Sequence, residues 1–368
     1  MSLRIPGPTP CPDNVLQAMS KQMINHRGKE FGEMMTRVTA RLKELYQTKG
    51  DVFILTCSGT GGMEAAIVNT LSPGDKVLSL SNGVFGDRFA TIAERFGAQV
   101  TRVKFDWGRA VDPDAADKAL KADPDIKAVL VTHNETSTGV TSDLEAIASV
   151  VRKYDKLLLV DAISSLACID LQVDSWGCDV VVTGSQKGWM VPPGLSFVSF
   201  SQRAWQAHKA ARMPRFYWDF TSAGDFLMKK QTPWTPAVSI FYALDVALVM
   251  MLEEGLPNIF ARHARLGQKT RDGVKSLGLT LFASDEKYAS NTVTAVNSPF
   301  GIDGKKIQEV LRDEHGIVIS GGQSTLAGKI FRIGHLGFCT DADIDEVIRE
   351  LRQALPKVGY KVPHKQSF

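Results

Sequence analysis

Cysteine is scarce in this chain. The five that occur, Cys11, Cys57, Cys168, Cys178 and Cys339, are odd in number, and no two are closely spaced. That excludes a disulfide framework and a cysteine-based zinc site, and it points to a reducing compartment. An excess of charge is missing too. Lys and Arg number 43 against 40 Asp and Glu, a formal +3 over 368 residues, and the basic residues are scattered, which argues against a nucleic-acid surface. The seven histidines form no metal-binding pattern. Long apolar runs are absent. The richest, YALDVALVMML from Tyr242 to Leu252, is broken by Asp245 and too short to span a bilayer. The opening MSLRIPGPTPCPDN puts prolines where a signal peptide needs an apolar stretch, and the final KQSF carries no retrieval or lipidation motif. The expectation is a soluble, cytoplasmic protein of about two domains.

What is present is alternation. Short β-rich runs are expected as strands at Val52 to Ser58, Lys76 to Asn82, Gln99 to Phe105, Ile126 to Asn134, Lys156 to Ser164, Asp179 to Ser185 and Leu195 to Ser201. Several are continuously apolar, as strands buried on both faces of a parallel sheet are. Helical stretches lie between most of them. GGMEAAIVNTL ends at a Pro-Gly turn, DRFATIAERFG ends in Gly97, and DLEAIASVVRKYD opens on Asp143, a good N-cap, and closes in basic residues. This predicts an α/β fold: a large domain with a mostly parallel seven-stranded sheet over residues 18–254. After the Gly255–Pro257 break the pattern becomes long helix, strand, helix, strand, helix, which predicts a smaller C-terminal α+β domain over 255–368. Residues 1–17, rich in proline, read as an N-terminal arm.

In such a sheet, ligands collect at the carboxyl ends of the strands. Four features fall there. CSGTGGMEAA runs from a strand through Ser58, Gly59 and Thr60 into a helix. Free N–H groups at a helix start and two small hydroxyls suit an anion, though a plain Gly-rich turn is equally consistent, and the stretch is neither a Walker A loop nor a dinucleotide fingerprint. Asp161 ends the apolar run LLLVD; it is a turn former or an acid paired with a cation. Lys187 follows the run DVVVTGSQ; it is a surface lysine or a nucleophile whose pKa is lowered by burial. Phe85, in NGVFGDRF, is a core aromatic or a stacking ring. Together the four fit one ligand. Pyridoxal 5′-phosphate needs a phosphate cradle, an aromatic face, a carboxylate for its pyridine nitrogen and a lysine for its aldehyde.

On the segments PGPTP, CSGTGGMEAAIVNTLSPGD, NGVFGDR, THNETSTGV, LLLVDAISSL, GSQKGWMVPPG, QTPWTPAVSIFYAL and KIFRIGHLG, nearly the whole chain resembles the class V aminotransferases of pyridoxal-phosphate fold type I. It is most similar to the alanine–glyoxylate and serine–glyoxylate (serine–pyruvate) aminotransferases. The resemblance implies that Lys187 bonds to the cofactor and shuttles the substrate proton. Asp161 would pair with the pyridine nitrogen. Ser58, Gly59, Thr60 and Gln186 would hold the phosphate. Phe85 and Ile163 would cover the two ring faces, and Thr136 would sit near the ring oxygen. It implies a homodimer in which Thr232 and Thr235 reach the neighbouring subunit's phosphate. Arg332 would bind the substrate carboxylate, with the backbone near Gly7 closing the site. The implied reaction is a ping-pong transfer of an amino group from alanine or serine to glyoxylate or pyruvate.

Two departures from the family pattern and two rival readings stay in view. Relatives often carry Tyr where Thr232 stands. NHRGKEF resembles a phosphoserine aminotransferase stretch in which a His-Arg pair, here His26 and Arg27, meets a substrate phosphate; STLAGKIFRIGHLG offers only Lys329 for the second basic pair, so Arg27 lines the entrance or forms an ion pair. A cysteine desulfurase or other lyase would need a mobile cysteine in the C-terminal half, where only Cys339 stands, at what reads as a helix start. A hydrogenase-associated subunit without transaminase activity would be a partner component, and no cysteine cluster here suits an iron–sulfur or nickel centre.

Overall fold

The seven expected strands join one sheet. Its order is Asp51–Leu55, Ser196–Phe200, Val180–Gly184, Leu157–Asp161, Ala128–Thr132, Lys76–Ser81, Gln99–Lys104. The computed structural model describes residues 1–363; residues 364–368, and with them the terminal KQSF, lie outside the described residues. Every neighbouring pair is parallel except those made by Ser196–Phe200, which runs antiparallel to both its partners. The reason is local. No crossover helix lies between Gly184 and Ser196, and without one the chain has to return in the opposite sense.

The apolar strands are buried on both faces. Val52, Ile54, Val129, Val131 and Val181 point into one core, under the helices Lys29–Tyr46, Leu144–Lys153 and Val238–Glu254. Their neighbours Phe53, Leu130, Val180, Val182 and Val198 point into the other, under Gly59–Thr70 and Val84–Arg95. Two-residue periodicity sends alternate side chains to opposite faces, so a strand apolar at every position fits only between two layers. The helix Leu144–Lys153 is capped as expected: the Asp143 carboxylate accepts from the N–H of Ala146 at 3.0 Å.

The C-terminal part has its own core around Val274, Leu311, Phe331, Ile333 and Leu351. Its sheet centres on Ile330–Gly334, which pairs antiparallel with Val293–Asn297 and Ser320–Gly321. One pairing has no local signature. Ser2–Leu3, in the proline-rich arm, adds parallel to Ile317–Val318. The amide of Gly334 then donates to the carbonyl of Arg4, and the Arg4 guanidinium pairs with Asp343. The arm continues as the helix Asp13–Ala18 against Val238–Glu254. Among the described residues, no helix is long and apolar enough to cross a membrane.

Candidate active site

Five strand ends converge on one cavity of about 350 Å³. Its lining includes Gly7, Ser58, Gly59, Thr60, Phe85 and Thr136, together with Asp161, Ile163, Gln186 and Lys187. All ten are residues singled out from the sequence. The topology explains the convergence. The strand ending in Asp161 lies between the strand leading to Lys187 and the strand leading to Thr136, and all three run the same way. A larger groove of about 660 Å³, lined chiefly by Met35, Trp205, Leu227 and Met228, holds none of these groups.

Lys187 is buried, and burial first, then the positive charge of Arg332, brings its amine down to about 8. The amine donates to the carbonyl of Pro6. The lysine is held from behind by Thr9, whose hydroxyl donates to the Lys187 carbonyl at 3.0 Å. Gly7 permits this approach. It sits at φ +139°, and a Cβ there would lie 2.8 Å from Lys187 Cδ, Cε and Nζ. Asp161 is also buried, and burial pushes its carboxyl up to about 6. One oxygen accepts the N–H of Ile163 at 3.0 Å and the other the hydroxyl of Thr132 at 3.3 Å. A cation set against it would pull that value back down.

The helix Gly59–Thr70 starts at Ser58, whose side chain makes no capping hydrogen bond. The N–H groups of Gly59 and Thr60 have no hydrogen-bond partner among the described residues. The buried Oε1 of Gln186 likewise has none. Gly59 leaves room that a side chain would take, since a Cβ there would run into Ile163. A helix N-terminus with open donors and no side-chain cap suits a phosphate. A buried acid and a lysine with a lowered pKa lie across the cavity from it. The residues present therefore fit pyridoxal 5′-phosphate: an anion site, two covered faces at Phe85 and Ile163, a carboxylate and an amine.

Arg332 comes from the C-terminal sheet. Its Nε donates to the carbonyl of Gly321 and its Nη1 to that of Thr136, both at 2.9 Å. Burial brings its pKa down to about 10, and the charge of Glu135 opposes the drop. Thr136 directs its own hydroxyl to Ser164 at 2.7 Å.

Arg332 is outside the cavity lining and reaches it through the carbonyl of Thr136, and three more expected residues lie away from the cavity in this chain. Thr232 donates to the carbonyl of Trp234 at 2.7 Å, and Thr235 is exposed. Arg27 commits its guanidinium to Gln231 Oε1 at 3.1 Å and to the carbonyls of Thr232 and Pro233 at 2.6 and 3.0 Å. It thus holds the segment that carries Thr232. His26 is half-buried and outside the lining. Cys339 immediately precedes Thr340, the N-cap of the helix Asp341–Lys357, and burial pushes its thiol up to about 11. That is a poor state for a nucleophilic thiol.

Two residues went unassigned in the sequence. Arg88 lines the cavity, lies 4.7 Å over the Phe85 ring and donates to Thr60 at 3.3 Å. Its place three residues after Phe85 on one helix was the available signal. Glu135 sits inside NETSTG, where nothing in the spacing marks it.

The chain matches the family Aminotransferase class-V over residues 3–347. A protein of Anabaena cylindrica named soluble hydrogenase 42 kDa subunit is 46% identical over 364 residues, covering 98% of this chain and 94% of that one. The L-aspartate–glyoxylate aminotransferase of Paracoccus denitrificans is 41% identical, covering 92% and 87%. Among solved structures, the alanine–glyoxylate aminotransferase of Nostoc sp. superimposes with a TM-score of 0.93 at 32% identity, over 96% of this chain and 95% of that one. Those matches run through both the large sheet and the C-terminal part, and together with the cavity they make this chain a member of the class-V aminotransferases, transaminases that act on amino acids and 2-oxo acids with pyridoxal 5′-phosphate.

Proposed function

We propose that the chain transfers an amino group from a small amino acid, alanine or serine, to a small 2-oxo acid, glyoxylate or pyruvate, in two half-reactions at one site. The carrying observation is the meeting of the Lys187 amine, the buried Asp161 carboxylate and the open N–H groups of Gly59 and Thr60 in one cavity of about 350 Å³. The acceptor reading is supported by two relatives whose names include glyoxylate.

Pyridoxal 5′-phosphate supplies an aldehyde to capture amines and a protonated ring to withdraw electrons. Asp161 would keep that ring protonated. Ser58, Gly59, Thr60 and Gln186 would hold the phosphate, Phe85 and Ile163 would confine the ring, and Thr136 would face its oxygen. Lys187 would hold the aldehyde, and its amine, brought down to about 8 by burial and the charge of Arg332, is suited to taking and returning a proton near neutral pH. Arg332 binds the carboxylate of each substrate in turn, since a guanidinium gives a planar two-point grip. Gly7 lets the N-terminal arm close over the amine. Thr232 and Thr235 reach the phosphate of a second copy in a homodimer, and Arg27 steadies their segment. Five free cysteines suit a cytoplasmic setting.

The test is borohydride reduction of the purified protein followed by peptide mapping, then a panel of amino donors against glyoxylate and pyruvate. Label on Lys187 and activity with alanine or serine are expected. Reduced cofactor on another lysine, or no transfer to either acceptor, would sink the assignment.

A further inference from the structure

The NETSTG stretch contains a buried acid that none of these roles uses. Glu135 has no exposed surface. Its Oε2 accepts the N–H groups of Phe85 at 3.0 Å and Gly86 at 3.1 Å. Its Oε1 accepts the N–H of Ser137 at 3.0 Å and the Ser137 hydroxyl at 2.5 Å. The same hydroxyl oxygen accepts the N–H of Val84 at 3.0 Å. These partners solve a problem at the start of the helix Val84–Arg95. Its N-cap is Gly83, which has no side chain to offer, and the first N–H groups of a helix have no partner within it. Here Val84, Phe85 and Gly86 are all served from a loop about fifty residues further along the chain. A carboxylate also suits the positive end of the helix dipole. Gly83 has to be small for this to happen, because a Cβ there would run into the Glu135 side chain and the Ser137 hydroxyl.

The same loop reaches the substrate arginine. Thr136, the next residue, gives its carbonyl to Arg332 Nη1 at 2.9 Å. Asn134, the residue before, donates to Ser164 Oγ at 2.8 Å, three residues beyond Asp161. A cap alone needs only a Ser or Asp at position 83. A remote carboxylate does something else as well: it ties the backbone that sets the Phe85 ring to the loop whose Thr136 carbonyl holds Arg332.

We propose that Glu135 is the positioning residue of this site, seating the Phe85 ring through the N–H groups of Phe85 and Gly86 while its own loop anchors Arg332. The inference rests on the functional reading above, in which Phe85 covers the cofactor ring and Arg332 binds the substrate carboxylate. Burying an ionised acid is costly unless its oxygens are satisfied. Glu135 has four donors, drawn from two segments, and each oxygen serves one of them.

E135Q keeps the shape but offers a single acceptor oxygen, so either the helix start or Ser137 faces an amide NH2. The measurements are the dissociation constant of pyridoxal 5′-phosphate from the apoprotein and the visible circular dichroism of the bound cofactor. E135Q is expected to weaken cofactor binding about tenfold, the scale of a lost charge-assisted hydrogen bond, and to shrink the visible band. If Glu135 acts through the ring, the two sites are coupled: in an F85A background E135Q should cost less than about twofold further. S137A removes one hydroxyl that binds both Glu135 and Val84. It should shift both readouts in the same direction by a smaller factor, and it decides the matter if E135Q does not fold. Parental values in E135Q and S137A overturn the proposal. So does an E135Q effect equally large with and without Phe85, which marks a general structural role. A parent protein that takes up no cofactor sinks this inference together with the function it rests on; a parent that binds cofactor beside unaltered variants sinks the inference alone.

Discussion

The side-chain amine of Lys187 donates to the backbone carbonyl of Pro6, 181 residues away in the chain. The arm that carries Pro6 is anchored at its other end to the C-terminal part, where Ser2–Leu3 and Ile317–Val318 form a two-stranded sheet of their own. The reactive amine is therefore held between the two parts of the molecule. G7A tests this contact. The new Cβ would lie 2.8 Å from the lysine side chain at a backbone angle of +139° that favours glycine. The arm has to lift or the lysine has to move. The expected outcome is a fall in kcat/KM of about 100-fold, since small misplacements of reacting groups are costly. Steady-state kinetics of G7A beside the parent measure it, and parental values would show that the arm does not touch the working lysine.

Lys187 also predicts a pH dependence. Only the neutral amine can attack the cofactor's aldehyde. Burial and the charge of Arg332 bring the pKa to about 8. The rate of cofactor capture by the apoprotein should rise with pH, pass its midpoint near 8 and level off above. Stopped-flow absorbance at a series of pH values reads it. A rate still climbing steeply above pH 10 would match an ordinary exposed lysine and contradict the burial argument.

Asp161 sets function against stability. Its carboxyl titrates near 6 in the folded apoprotein, above its ordinary value of 3.8. The native state thus binds more protons than the unfolded state between those values, so apoprotein stability falls as pH rises from about 4 to about 6 and stays lowered above. D161N keeps the partners Ile163 and Thr132 but carries no charge. Apo D161N should be more stable than the parent at pH 7.5, by roughly 1–3 kcal/mol, and the gap should close near pH 4. Its transaminase activity should fall by at least about 100-fold because the ring proton loses its counter-charge. Thermal melts of both apoproteins at the two pH values decide it, and a destabilised D161N at pH 7.5 would refute the account.

Arg332 is expected to separate binding from cofactor geometry. R332K keeps the charge and loses the fork that grips a carboxylate while also bonding the carbonyls of Gly321 and Thr136. KM for amino donor and for 2-oxo acid should each rise about 10- to 100-fold, with the visible spectrum of bound cofactor unchanged. Unchanged KM values for both substrates would place the carboxylate elsewhere.

Much of the site was readable because its residues follow buried strands. Asp161 comes directly after LLLV and Lys187 three residues after VVVTG, and a buried apolar run says where its strand ends. What went unread depends on distant partners. The Arg27 guanidinium meets Gln231, Thr232 and Pro233, some 200 residues on, and nothing in NHRGKEF records those partners. Glu135 looked like any acid in a polar loop, because the helix it caps begins at Val84, and Gly83 marks only a missing cap.

By itself the sequence determined the order of strands and helices, the two-sided burial of the large sheet, and which small set of side chains stands at strand ends. Those follow from periodicity and turn chemistry, which are local and written in consecutive residues. Only the tertiary structure decided that Ser196–Phe200 runs against its neighbours, that the first residues pair with Ile317–Val318 in a two-stranded sheet, and that Pro6, Thr136 and Glu135 meet Lys187, Arg332 and Phe85. Such contacts join segments from tens to hundreds of residues apart. The energy that selects them is the satisfaction of buried polar groups by partners brought near in folding, and spacing along the chain carries no record of it.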